Sequence, residues 1–210
     1  MKRNIIIFGA TGKTGNQICR ELQLRKINSS VFVREESSKK IKSDGMRLII
    51  GNVLNIKDVQ AAFKNESYTD VIIALGSKDL KKSVVRSKGT EHILKAMELN
   101  QTKSNIHLIS AMGVGNSWSQ LKWHSKLITN LLLKSVMVDH QLQEELVTSS
   151  PFQYHIIRPV GLKDGESKGG VHVQQAGFLP SNTILRADLA IYLVESLEDN
   201  QTGISAVCQK

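Results

Sequence analysis

A run of branched apolar residues, Asn4-Ile5-Ile6-Ile7-Phe8, ends in the turn Gly9-Ala10-Thr11-Gly12-Lys13-Thr14-Gly15. Residues 5–8 carry no polar alternation, the mark of a strand buried on both faces. Gly9, Gly12 and Gly15 then recur at every third position. A turn this tight needs tolerance of positive φ, and a pyrophosphate needs backbone it can approach with no Cβ in the way. Residues 13–26 place Ile18, Leu22 and Leu24 as an amphipathic helix would. The first amides of that helix would face an anion with the helix dipole behind them. Such a turn can carry glycines for packing alone, but its place between an apolar strand and a helix favours dinucleotide binding.

The remainder alternates strand and helix, as a parallel sheet with crossover helices should. Strands are expected at 29–33, 46–50, 70–75, 105–109 and 153–157, with a short one near 205–208. Helices fit 56–63, 84–99, roughly 121–147, and 187–197. The stretch 161–177, rich in glycine and polar residues, reads as a long loop over the site. The expected fold class is α/β: a single Rossmann-type, doubly wound parallel sheet with helices on both faces, spanning 1–210 as one NAD(P)-binding domain. With 210 residues, 40% of them hydrophobic, the chain can bury a full core.

Other classes are disfavoured. No apolar run is long enough to span a bilayer, and Met1-Lys2-Arg3 leads into a strand without a cleavage site. Cys19 and Cys208 lie in helix and strand patterns, which suggests buried thiols in a reducing, cytoplasmic setting. The net charge is +9, and eleven basic residues face four acidic ones within the first fifty. Nucleic acid is disfavoured, because no aromatic-interleaved basic helix accompanies the charge; a soluble basic surface or steering of an anionic cofactor fits better.

The strand ends hold the informative residues, since ligands of such sheets lie at the carboxyl ends of the strands. After the second strand, Arg34 stands where an arginine accommodates the 2′-phosphate of NADP, although Glu35 and Glu36 keep NAD(H) possible. After the third, Gly51-Asn52-Val53 could line the adenine. After the fourth, Leu75-Gly76-Ser77 brings bare backbone past the middle of the cofactor. After the fifth, Ser110-Ala111-Met112 places a hydroxyl where the nicotinamide should lie.

The G-x-x-G-x-x-G spacing resembles the atypical and extended short-chain dehydrogenases. The segments FGATGKTG, VFVRE, GNVLN, ALGSKDL, SKGTEHILKAM, LISAMG and YHIIRPVGL follow the order and spacing of the NmrA-like atypical short-chain dehydrogenases. Within these, the chain looks most like the biliverdin-IXβ reductase/flavin reductase family. The resemblance implies a single Rossmann domain using NADPH, with Thr11, Gly12, Lys13 and Thr14 on the pyrophosphate and Arg34 on the 2′-phosphate; Gly9 and Gly15 of the same turn are cofactor-binding candidates from their spacing. It implies further that Ser110 lies near the nicotinamide and that Arg158-Pro159-Val160-Gly161 passes beside the ring.

One departure matters. Alcohol-oxidising short-chain dehydrogenases use a Tyr-x-x-x-Lys pair, in which lysine lowers the tyrosine pKa for proton exchange with the substrate oxygen. Here residues 121–147 contain no tyrosine, and Val136 and His140 stand where the pair would be. A flavin or tetrapyrrole takes a hydride into a conjugated ring and can draw its proton from water. The expected activity is therefore NADPH-dependent reduction of such a small-molecule acceptor. Ser110 is the candidate catalytic residue, with flavin as substrate rather than tightly held cofactor. The alternative is a non-catalytic, redox-sensing NmrA-like dinucleotide binder. A monomer or weak homodimer is expected, with no metal. His92 and His107 read as structural, while His124 and His140 could donate a proton near neutral pH. Trp118 and Trp123 could form a lid or pack the core.

Overall fold

The computed structural model describes residues 2–41, 45–64, 66–77, 83–120, 133–175 and 177–210. In chain order the elements are β1 (Asn4–Phe8), α1 (Lys13–Leu24), β2 (Asn28–Val33), α2 (Glu35–Ser38), β3 (Arg47–Ile50), α3 (Ile56–Phe63) and β4 (Asp70–Ile73). There follow α4 (Val85–Leu99), β5 (Asn105–Ile109), a 3-10 turn (Gly115–Gln120), α5 (Lys134–Thr148) and β6 (Tyr154–Pro159). The chain closes with β7 (Gly161–Lys163), β8 (Val171–Gln174), β9 (Thr183–Leu185), α6 (Arg186–Glu198) and β10 (Gly203–Gln209).

An eight-stranded sheet runs β3-β2-β1-β4-β5-β6-β10-β8. Every pairing in it is parallel except β8 against β10. The unbroken apolar run of β1 follows from its central place. Ile5 and Ile7 enter a cluster with Ile18 and Leu22 of α1 and Leu189 and Leu193 of α6. Ile6 and Phe8 enter the opposite cluster with Val59 and Phe63 of α3, Ile93 and Met97 of α4. Both faces are covered, so neither half of the alternation can be polar. Strand order reverses between β1 and β4, which opens a crevice at their carboxyl ends.

The stretch 161–177 is not one long loop. It holds β7, which pairs in parallel with β9 as a separate two-stranded unit, and β8, the antiparallel edge of the main sheet. The edge strand Val-His-Val-Gln alternates because one side meets solvent: Val171 packs on the core while Val173 is exposed. Short, polar-alternating strands between glycines have the composition of a loop. The last helix before β6 is described from Lys134 onward. The expected segment 121–132, with Trp123 and His124, lies outside the described residues.

Candidate active site at the carboxyl ends of the strands

The β1–α1 turn, where the pyrophosphate is expected, is built on glycines. Gly9 has φ +96°, and a Cβ there would stand 2.3 Å from the Ala74 carbonyl oxygen, so the turn crosses directly over the end of β4. At Gly15 a Cβ would meet the Gly9 carbonyl oxygen at 2.2 Å, which lets α1 close onto the turn. Gly12 differs from the expectation for all three. Its φ of −72° suits any residue, and a Cβ would come no nearer than 3.3 Å to the Gly9 oxygen. Gly12 is the N-cap of α1 without a side-chain cap, and the first turn holds no acid. The opening amides at Lys13, Thr14 and Gly15 thus carry the helix dipole with no local anion to meet it. This cradle fits a pyrophosphate. Lys13 reaches across to Asp164 in the β7–β8 connection at 2.5 Å, and Arg186 holds the other oxygen of Asp164 at 2.6 Å.

Where the adenosine is expected, Arg34 closes β2 as N-cap of the short α2, largely exposed and paired with Glu36 at 3.1 Å. Asn52 is used by its own turn. Its Oδ1 accepts from Leu54 N at 3.0 Å, and its amide donates to Asp58 at 2.8 Å. The Val53 carbonyl lies 2.9 Å from His92 Nδ1, which ties this loop to α4. Leu75, exposed Gly76 and Ser77 leave the end of β4 beside the Gly9 turn.

At the carboxyl end of β5, where the nicotinamide is expected, lies a buried ionic cluster that sequence reading did not assemble. Ser110, 4% exposed at the end of β5, donates to Glu144 Oε1 at 2.5 Å. Arg158 of β6 clamps the same carboxylate through Nε at 3.0 Å and Nη2 at 2.6 Å, and its Nη1 donates to Asn116 Oδ1 at 2.6 Å. With its proton directed at Glu144, the Ser110 hydroxyl turns lone pairs toward anything beside it. It is an acceptor held in place, not a free proton source. Ala111 and Met112 follow it, and the Met112 amide donates to the Pro159 carbonyl at 2.9 Å, so Pro159 and Val160 lie alongside. Nothing in the sequence singled out Glu144 as a site residue; its contact with Ser110 joins residues far apart in the chain.

Between α4 and α5 lies a second polar cluster. Asp139 caps α4 from outside the helix, accepting from Arg86 N at 3.2 Å, Ser87 N at 2.9 Å and Ser87 Oγ at 2.6 Å. His140 is buried beside it. Burial pushes its imidazole down from 6.5 to about 3, and the nearby Arg86 charge adds to this. That shift favours the neutral imidazole near pH 7 and so weighs against His140 as the proton donor that the sequence left open. Trp118 sits half-buried in the 3-10 turn. His107 donates to Asp70 at 3.0 Å, at the opposite end of β4 from the crevice. Cys19 and Cys208 are both buried. Among the described residues no group of histidines, cysteines and carboxylates could hold a metal ion, and no helix is long and apolar enough to cross a membrane.

Residues 9–200 match the family described as NAD(P)H-binding. The fold is similar to that of ChuY, an anaerobilin reductase from Escherichia coli O157:H7, with a TM-score of 0.81 at 20% identity over 98% of this chain and 97% of that one. A short-chain dehydrogenase/reductase from Veillonella parvula, solved in complex with NADP, gives 0.82 at 15% identity over 100% and 95%. A candidate NADH-flavin reductase from Streptococcus pneumoniae gives 0.75 at 18% identity over 99% and 100%.

Proposed function

This chain belongs to the NAD(P)H-binding family, and from that premise we propose that it is an NADPH-dependent reductase of a flavin, a biliverdin-like tetrapyrrole or a similar conjugated acceptor. The observation that carries the reading is the nicotinamide end. Ser110 is locked by Glu144 and Arg158, while the position of the usual lysine holds a buried, neutral His140. Such a site orients a ring and offers little proton transfer. That suits an acceptor whose conjugated system takes a hydride and whose proton comes from water.

The nicotinamide cofactor, when bound, supplies the hydride. The residues of the chain bind and orient. The amides of Lys13, Thr14 and Gly15 receive the pyrophosphate, and Gly76 and Ser77 pass its middle. Ser110 offers lone pairs to the carboxamide or to the acceptor, and Pro159 and Val160 wall the ring. Arg34 would exchange its Glu36 partner for the 2′-phosphate, which makes NADPH the preferred cofactor. The reading is supported by the name of ChuY and by the flavin reductase assignment of the Streptococcus protein.

Steady-state oxidation of NADPH and NADH, followed at 340 nm with FMN, FAD and biliverdin, tests it. Turnover with one of these acceptors, faster with NADPH, is expected. Tight NADPH binding with no hydride transfer to any of them would sink the reductase reading in favour of the redox-sensing one.

A further inference from the structure

We propose that Phe178 is an acceptor-binding residue of the crevice, whose ring stacks on the planar conjugated ring of the molecule that takes the hydride. The inference rests on the reading of this crevice as a reductase site. Phe178 is 66% exposed, and among the described residues it is the one aromatic ring in the set of exposed large apolar side chains. A single exposed apolar residue is ordinary on a protein surface. The weight falls on where the chain holds this one.

Its neighbour Leu179 is buried in a small apolar cluster with Met112, Ala206 and Cys208, and Val160 packs against that cluster. The cluster lies on the face of the sheet that carries the Ser110–Glu144–Arg158 clamp. Side chains alternate along a strand. Leu108 and Ile156 enter the core under α4 and α5, so Ser110 and Arg158, two residues further on, face the same way and meet Glu144 of α5. On β10, Ile204 packs against that same core, and Ala206 and Cys208 follow it at the same period. Ala206 pairs directly with Arg158 in the β6–β10 register. Leu179 therefore pins the β8–β9 connection one strand away from the clamp, on the side where an acceptor would lie beside Ser110 and Val160. The end of the connection is held as well: the Asn182 carbonyl accepts from Gly161 N at 3.1 Å, and Ser181 Oγ donates to the Thr183 carbonyl at 3.1 Å. Phe178 is thus a ring carried on an anchored segment at the acceptor side, with its surface left to water. A planar acceptor that covers it removes apolar area from water and gains a ring-to-ring contact.

Binding measurements test this without requiring turnover. FMN and riboflavin are titrated by flavin fluorescence and biliverdin by its visible absorbance, each with NADP⁺ present, against native protein, Phe178→Ala, Phe178→Tyr and Val173→Ala. NADPH is titrated against the same four proteins. Phe178→Ala is expected to weaken acceptor binding roughly tenfold and to leave NADPH unchanged. Phe178→Tyr keeps the ring and with it the native affinity. Val173 pairs with Val207, whose side chain enters the core on the other face of the sheet, so Val173→Ala removes exposed apolar surface elsewhere and changes none of the affinities. Where the acceptor is a flavin, Phe178→Trp adds an independent readout, because an indole in contact with a flavin quenches its fluorescence and the bound flavin dims further than in native protein. A folded Phe178→Ala with native affinity for every acceptor overturns the proposal, and so does a native complex with NADP⁺ that binds none of the three. An equal loss of NADPH affinity in Phe178→Ala also overturns it, since the ring would then serve the cofactor or the fold. Failure of the reductase reading shows separately, as acceptor binding that depends on Phe178 with no hydride transfer from NADPH.

Discussion

Gly12 and Gly15 are three residues apart and differ in kind. A side chain at Gly15 must displace the Gly9 backbone, whereas one at Gly12 meets only open space and a single carbonyl at 3.3 Å. Gly12→Val should therefore fold, by circular dichroism, and lose NADPH binding, by calorimetry, because the valine fills the approach to the α1 amides. A folded variant that still binds would remove the turn from the phosphate site. Ser110→Ala tests the other end. An orienting hydroxyl should slow flavin reduction by less than about a hundredfold, while loss of a general acid costs roughly 10²–10⁴. Glu144→Ala is a different experiment, because it leaves the buried Arg158 guanidinium without its counter-ion. A loss of about 3–5 kcal/mol of stability is expected, read by denaturant titration.

At the scale of elements, the β7–β8 connection is fastened to the start of α1 through Asp164, which stands between Lys13 and Arg186. Both Lys13 and Asp164 are well exposed, so this bridge contributes little to folding. On the proposed reading its weight falls on binding, because Asp164 neutralises the lysine of a turn that a pyrophosphate approaches. Asp164→Asn should leave the melting temperature nearly unchanged and tighten NADPH binding, most visibly at low ionic strength. Unchanged or weaker binding would show that Asp164 does not compete for Lys13. Helices α4 and α5 are joined by polar contacts, with Asp139 capping one helix from the other and Gln143 donating to Thr90 at 2.9 Å. That explains why periodicity alone placed α4 well and said little about what α5 does.

For the whole molecule, acid stability is set by buried imidazoles. Burial pushes His140 from 6.5 to about 3 and His155 to about 4, with Arg86 adding to the first and His107 to the second. The unfolded chain protonates both near 6.5, so between that pH and the folded values it binds more protons than the native state. Stability is complete above about pH 6.5 and is lost as pH falls toward 4 and 3. Asp70 acts in the same sense at lower pH. Burial raises its pKa, but hydrogen bonds from His107, Thr69 and Arg3 together outweigh that and leave it lowered. The thermal midpoint should drop between pH 7 and pH 5, and His140→Gln should shrink the drop. An unshrunk drop in that variant would clear His140 of the effect.

Local and periodic features could be read without coordinates. The doubly buried β1 announces itself because both faces of a central parallel strand must be apolar, and Gly9 because a crossing that close forbids a side chain. The order of strands and helices, and hence the crevice, follows from their alternation. The finer division of labour could not be read that way. That the backbone leaves room for a side chain at Gly12 and none at Gly15 depends on where the Gly9 carbonyl points. That Ser110, Glu144 and Arg158 form one clamp depends on β5, α5 and β6 converging. That His140 and Asp139 are buried side by side depends on how α4 packs against α5. Each is a contact between residues distant in the chain, and burial and hydrogen-bond direction exist only once the chain has closed on itself.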